Sequence, residues 1–232
     1  MIDLAWQMAR VSERLRAAER AAGRAEGSVQ LLAVSKTHPA CSIRELAMLG
    51  QYCFGENYLQ EAQVKLPLLA DLNLEWHFIG PMQSNKTRPV ASLFQWVHGV
   101  DRWKVAQRLS AQRSTELPPL NICLEVNVSS EVSKSGVMPS NLLDLAMGVA
   151  ALPGVRLRGL MTIPAPLAPD IDANAARAPF RALRELFEDL RTRGLDIDTL
   201  SMGMSDDLEA AVAEGATIVR VGTAIFGPRS QG

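Results

Sequence analysis

Short runs of apolar and β-branched residues recur along the chain, separated by longer stretches in which apolar positions return every three or four residues. The short runs predict strands at Leu31 to Ser35, Tyr52 to Gly55, Trp76 to Ile79, Trp96 to Val100, Asn121 to Val126, Arg156 to Leu160, Thr199 to Met202 and Ile218 to Val221. Helical spacing lies between them, most clearly at Asp101 to Gln112, Pro179 to Thr192 and Ser205 to Glu214. The last of these opens on a Ser cap and two Asp residues that suit the positive end of a helix dipole. Before the first strand, Leu4, Met8, Val11 and Leu15 are interspersed with Arg10, Glu13, Arg14 and Arg16, the spacing of an amphipathic helix within about residues 1–25.

Strands that alternate with helices argue for βα units, which close into a barrel or spread as an open sheet. The pattern favours an α/β fold made of a single (β/α)₈ barrel, and 232 residues suit one such domain spanning 1–232. In that architecture ligands sit at the carboxyl ends of the strands. The polar residues placed there are Lys36, Glu56, Asn57, Gln83, Asn127, Ser129, Ser205 and Thr223. The connection from Met161 to Ala178 is long, and Pro164, Pro166 and Pro169 bar regular helix from its first half. It either flanks the site or simply connects.

Composition narrows the partners. Apolar residues are 47% of the chain and charged ones 21%, the balance of a protein with a sizeable interior. The 24 basic and 25 acidic side chains nearly cancel, and no block of like charge offers a surface for nucleic acid or an anionic membrane. Three widely spaced cysteines, Cys41, Cys53 and Cys123, suggest no disulfide framework and fit a reducing compartment. The amino terminus does not read as a signal peptide, and no stretch is long and apolar enough to span a bilayer. A cytoplasmic location is therefore expected.

Two features carry candidate chemistry. Lys36 follows an apolar strand and would emerge at the barrel rim. There it is either a surface lysine that reaches into water or, with apolar walls and another cation lowering its proton affinity, a nucleophile toward an aldehyde. Gly222-Thr223 follows the last strand, where a glycine allows close backbone approach and exposed amides with a hydroxyl can cradle a phosphate. Ser205, in Ser201-Met202-Gly203-Met204-Ser205-Asp206-Asp207, either caps a helix or contacts the same phosphate.

The segments Ala33-Val34-Ser35-Lys36-Thr37, Phe54-Gly55-Glu56-Asn57, His77-Phe78-Ile79-Gly80, Gln83-Ser84-Asn85-Lys86, Ser133-Lys134-Ser135-Gly136, Gly159-Leu160-Met161, Ser201 to Asp207, and Val219 to Gly227 occur in this order. Together they resemble the pyridoxal phosphate homeostasis protein family, which is similar to the barrel domain of alanine racemases. The resemblance covers about residues 30–228. It implies a fold type III barrel binding pyridoxal 5′-phosphate, without the additional carboxyl-terminal β domain of the racemases. It further implies that Lys36 forms a Schiff base with the cofactor, that Ser205, Gly222 and Thr223 hold its phosphate, and that Arg220 faces its pyridine nitrogen. Asn57 and Met202 fall at positions expected near the ring. His77 either lines the pocket or is a satisfied core histidine, and Gln83 to Lys86 either bind a second anion or cap a helix.

Custody of the cofactor is expected rather than turnover. Arginine only donates hydrogen bonds, so Arg220 at the ring nitrogen would keep that nitrogen unprotonated and weaken its pull on electrons. Racemases with such an arginine use a second base, a tyrosine from their further domain, which this chain is expected to lack. Its own Tyr52 reads as core and Tyr58 as a helix start. The resemblance implies a carrier that buffers the cofactor, hands it to apo-enzymes and influences amino and keto acid pools. Lys134 is a candidate secondary amine in that exchange. A monomer is expected, and a weak racemase or lyase is the alternative.

Overall fold

The computed structural model describes residues 3–129, 135–165 and 172–228. Among the described residues there are eight strands: β1 (Gln30–Val34), β2 (Cys53–Glu56), β3 (Glu75–Phe78), β4 (Trp96–Val100), β5 (Leu120–Glu125), β6 (Val155–Met161), β7 (Thr199–Ser201) and β8 (Ile218–Val221). They pair in parallel in sequence order, and β1 pairs with β8 to close the barrel. Barrel over open sheet is thus settled by the pairing of Gln30 with Ile218 and of Ala33 with Val221. The predicted strands lie within two residues of those observed.

The helices are α1 (Leu4–Ala21), α2 (Ala40–Met48), α3 (Leu59–Lys65), α4 (Thr87–Leu93), α5 (Trp103–Gln112), α6 (Pro139–Ala150), α7 (Ala173–Thr192), α8 (Leu208–Ala213) and α9 (Thr223–Phe226). Their buried faces are mainly apolar, as in α7, which turns Phe180, Leu183, Phe187 and Leu190 inward and packs against β6 and β7. Three expected helix starts move, that of α5 only from Asp101 to Trp103. α7 begins at Ala173 rather than Pro179, because Asp172 accepts the amides of Asn174 and Ala175 at 2.8 and 3.1 Å, and Pro179 lies inside the helix. The connection after β6 is shorter than expected by that amount, and its residues 166–171 lie outside those described. α8 begins at Leu208, with Asp207 in the cap position, which leaves Ser205 in the turn before the helix.

α1 is capped by Asp3, which accepts the Trp6 amide at 3.0 Å. It buries Leu4, Val11, Leu15 and Ala18 while packing against α8 and α9. The buried Glu19 accepts the amides of Gly27 and Val29 at 2.9 and 2.7 Å, tying the helix to the entry of β1. Among the described residues, no helix is long and apolar enough to cross a membrane.

Candidate functional site

With all strands parallel, their carboxyl ends share one face of the barrel. There a cavity of about 210 Å³ draws residues from both ends of the chain. Lys36, Asn57, Ser205, Arg220, Gly222 and Thr223 all line it, six of the seven residues expected at the site.

Lys36 enters the turn that follows β1, and the residue after it is pinned. Thr37 has φ of 65°, a conformation that costs a non-glycine residue about 1 kcal/mol, and its amide donates to Glu61 Oε2 at 2.7 Å. Lys65 then draws the surroundings together, donating to Glu61 at 2.8 Å, Glu56 at 2.9 Å and the Ser35 carbonyl at 2.9 Å. Ser35 donates to the same Glu56 oxygen at 2.7 Å. Burial pushes the Glu56 carboxyl up from its ordinary value, with Lys65 pulling against it. Burial also raises Glu61, but its bonds from Lys65 and Thr37 prevail and bring it below the usual carboxylate range.

Asn57 follows β2 directly, and the end of β3 comes so close that a Cβ on Gly80 would lie 2.1 Å from the Asn57 carbonyl oxygen. Only glycine fits there. The side-chain Oδ1 of Asn57 is buried without a hydrogen-bond partner, although the residue lines the cavity, so a bound ligand with a donor would satisfy it.

Gly222 and Thr223 stand where β8 gives way at once to α9. The amides of Thr223 and Ala224 have no preceding helical turn to bond. A Cβ on Gly222 would sit 3.2 Å from the Val34 carbonyl oxygen, so the strand passes β1 closely at this point. Across the mouth, the Ser205 carbonyl accepts Arg14 Nη1 at 2.5 Å, and Arg14 also pairs with Glu209, so α1 braces the turn before α8. Arg220 is almost fully buried. It donates to Ser201 O and Oγ at 2.6 and 2.8 Å and to the Thr162 carbonyl at 2.9 Å. Burial lowers its pKa to about 10, which leaves it charged at neutral pH. Amides, hydroxyls and the cations Lys36 and Arg220 make the cavity suited to an anion, and Lys36 adds an amine able to capture an aldehyde.

Other expectations resolve differently. Met202 is fully buried in the main hydrophobic cluster and is absent from the cavity wall, where Met204 stands instead. Tyr52 was expected in the core, yet it is 57% exposed and precedes β2 at the amino end of the barrel. Tyr58 sits in the cap position of α3, also exposed, and neither tyrosine lines the cavity. His77 is a satisfied core histidine, bonded to His98 and Glu75 at 2.9 Å each and stacked on Trp96. Gln83 and Lys86 bound the turn before α4 and do not reach the cavity. Lys134 lies outside the described residues.

Sequence reasoning missed His38, Ile79, Ile163, Met204 and Asp206 as lining residues. Ile79 and Ile163 come just after β3 and β6, so the carboxyl-end rule applied to apolar residues would have found them. His38, whose ring stacks on Phe226 at 4.6 Å, had no such signal.

The family model described as alanine racemase, N-terminal domain, matches residues 7–230. A relative from Pseudomonas aeruginosa named pyridoxal phosphate homeostasis protein is 60% identical, covering 100% of this chain and 98% of its own length. One of the same name from Escherichia coli is 50% identical over 99% of this chain and 98% of its own. Among solved structures, PipY of Synechococcus elongatus with PLP bound superimposes with a TM-score of 0.83 at 39% identity, covering 97% of this chain and 100% of that one. The alanine racemase of Corynebacterium glutamicum matches at a TM-score of 0.68 and 19% identity, over 94% of this chain and 60% of its own, a likeness of fold.

Proposed function

The chain belongs to the pyridoxal phosphate homeostasis protein family, and from that premise we propose that it holds pyridoxal 5′-phosphate in the cavity at the carboxyl end of its barrel, with Lys36 as the covalent anchor. The family and a PLP-bound neighbour 39% identical establish the protein's concern with this cofactor and with vitamin B6 homeostasis. The assignment of individual residues is our own reading. The cofactor supplies an aldehyde that an amine can capture and a ring that can draw electrons from an attached carbon. Lys36 provides the amine for a Schiff base. Gly222, Thr223 and Ser205 receive the phosphate on amides and hydroxyls, Arg220 donates toward the ring nitrogen, and Asn57 offers its unpartnered Oδ1 as an acceptor for a donor of the bound cofactor. Met202 supports the wall from behind rather than touching the ring.

The observation that carries this reading is the convergence of Lys36, the Gly222-Thr223 turn, Arg220 and the orphaned Asn57 oxygen on one cavity of suitable size. It favours custody over catalysis because Arg220 can only donate, and because no tyrosine stands among the lining residues to act as a second base. The protein then serves, as a single barrel domain in the cytoplasm and as a monomer, to buffer the cofactor and supply it to apo-enzymes.

Borohydride reduction followed by peptide mass analysis tests the anchor. The expected result is a pyridoxyl group on Lys36 and none in Lys36→Ala. Label on another lysine, or on none, would overturn the assignment. Many turnovers per minute of an amino acid, lost in Lys36→Ala, would overturn the carrier role and favour a racemase or lyase.

A further inference from the structure

A second set of polar side chains crosses the interior of the barrel, from the cavity to the opposite end. Arg220 Nη1 meets Ser201 Oγ at 2.8 Å, and Ser201 Oγ meets His98 Nδ1 at 2.8 Å. His98 Nε2 meets His77 Nδ1 at 2.9 Å, and His77 Nε2 meets Glu75 Oε1 at 2.9 Å. Ser201, His98 and His77 are completely buried, and Arg220 nearly so. The five residues come from β8, β7, β4 and β3. Glu75 opens β3 at the amino end of the barrel with its side chain 35% exposed, so the chain starts at the ligand cavity and ends at solvent.

The direction of every bond follows from its two ends. A guanidinium can only donate and an ionised carboxylate can only accept. Glu75 therefore takes the proton of His77 Nε2, and His77 Nδ1 is left with a lone pair. His98 must then donate to it from Nε2, which leaves His98 Nδ1 as an acceptor that only the Ser201 hydroxyl can fill. Ser201 spends its single proton there and turns an oxygen lone pair to Arg220. With both imidazoles neutral, each carries its proton on Nε2 and links one donor to one acceptor. Burial, which lowers the proton affinity of both rings, agrees with this. The carboxylate at the far end is held down to about 2 by the bond from His77.

Arg220 has five N–H donors and makes three bonds among the described residues, to the Ser201 and Thr162 carbonyls and to the Ser201 hydroxyl; the hydroxyl is the contact through which the series acts on how its other donors face the cavity. We propose that Ser201, His98, His77 and Glu75 are positioning residues for Arg220, a one-way series of hydrogen-bond donors through the barrel that fixes the guanidinium toward the cofactor ring. The role rests on the cofactor reading of the cavity, whereas the bond directions do not. The Cys53 thiol also lies near Glu75 and His77, with these three ligand-type atoms within 4.8 Å of one another. The His77 proton already occupies the space between Nε2 and the carboxylate, so the geometry favours a terminus of the series over a metal centre.

The protein has three histidines, which makes nitrogen-15 NMR of the imidazoles tractable without cofactor. The expected result is the Nε2–H tautomer for both His77 and His98. Glu75→Leu removes the terminal acceptor and should speed cofactor loss about tenfold and shift the absorption band, with Lys36 still the labelled lysine. Glu75→Gln, whose amide oxygen can still accept, should recover most of that loss. Thermal unfolding of each variant separates these effects from misfolding. An Nδ1–H tautomer at either residue would overturn the bond directions. A folded Glu75→Leu with unchanged retention and spectrum would overturn the positioning role, as would a Ser201→Ala that behaves the same way. If borohydride labels a lysine other than Lys36, the cofactor reading fails and the role with it, while the tautomers still report whether the series exists.

Discussion

The two cations of the cavity are supported by different physics. Behind Lys36 lies a compact cluster of full charges, in which Lys65 bridges Glu56 and Glu61 within the span of β1, β2 and α3. Behind Arg220 lies an extended row of neutral rings and one hydroxyl that reaches its balancing carboxylate only at the far end of the barrel. The first arrangement is local and closed, since its donors and acceptors come from residues 35–65. The second joins strands that are distant in sequence. A charge cluster holds its members through strong pairwise terms and suffers when one partner is removed. A row of neutral groups carries orientation rather than charge, and a break in it releases a direction instead of exposing an ion.

This contrast can be broken most forcefully at Glu56. Glu56→Leu leaves the Lys65 ammonium buried with one carboxylate fewer, and should cost about 3 kcal/mol of unfolding free energy by urea denaturation. A loss below about 1 kcal/mol would mean that Glu61 and the Ser35 carbonyl suffice and that the cluster is not the tight unit described. Next in size is Arg220→Gln, which removes the cation but keeps donors. It should raise the cofactor dissociation constant about tenfold, close to 1.4 kcal/mol, and less than Lys36→Ala does because the covalent link survives. Equal retention by the wild type and Lys36→Ala would invert that ranking.

The smallest effect is acid sensitivity at the end of the neutral row. The Glu75 carboxyl, about 2 in the folded protein against 4.5 ordinarily, contributes stability that is complete above pH 4.5 and is lost as pH falls through about 2. The full shift would be worth about 3 kcal/mol, but a third of the side chain is exposed, and screening reduces this to about 1 kcal/mol. The unfolding midpoint should therefore drop between pH 4.5 and pH 2, and the drop should be shallower in Glu75→Gln. Identical acid profiles would sever Glu75 from the row.

Much of the cavity was readable beforehand for a simple reason. In a parallel barrel every strand delivers its next residues to the same face, so polar groups just past Leu31 to Val34, Phe54 to Glu56 and Val219 to Val221 meet without any knowledge of pairing. Local rules failed where the chain bends away from the expected element. Gly203, at φ of 92°, turns the backbone after β7, so Met202 goes into the core while Met204 and Ser205 go to the cavity. Tyr52 looked like the first residue of a buried strand, but it falls just before β2, where the backbone has not yet entered the barrel.

By itself, then, the sequence determined the eight strands, their alternation with helices, and the residues carried to the barrel mouth, because each depends on periodicity and order along a short stretch. Only the tertiary structure decided how Arg220 is held. Barrel strands are buried on both faces, so their apolar pattern does not distinguish the inside of the barrel from the outside. His77 stays open in sequence between a pocket wall and the core, and His98 carries no signal at all, until closure brings β3, β4, β7 and β8 around a common interior and joins them into one path from Glu75 to Arg220.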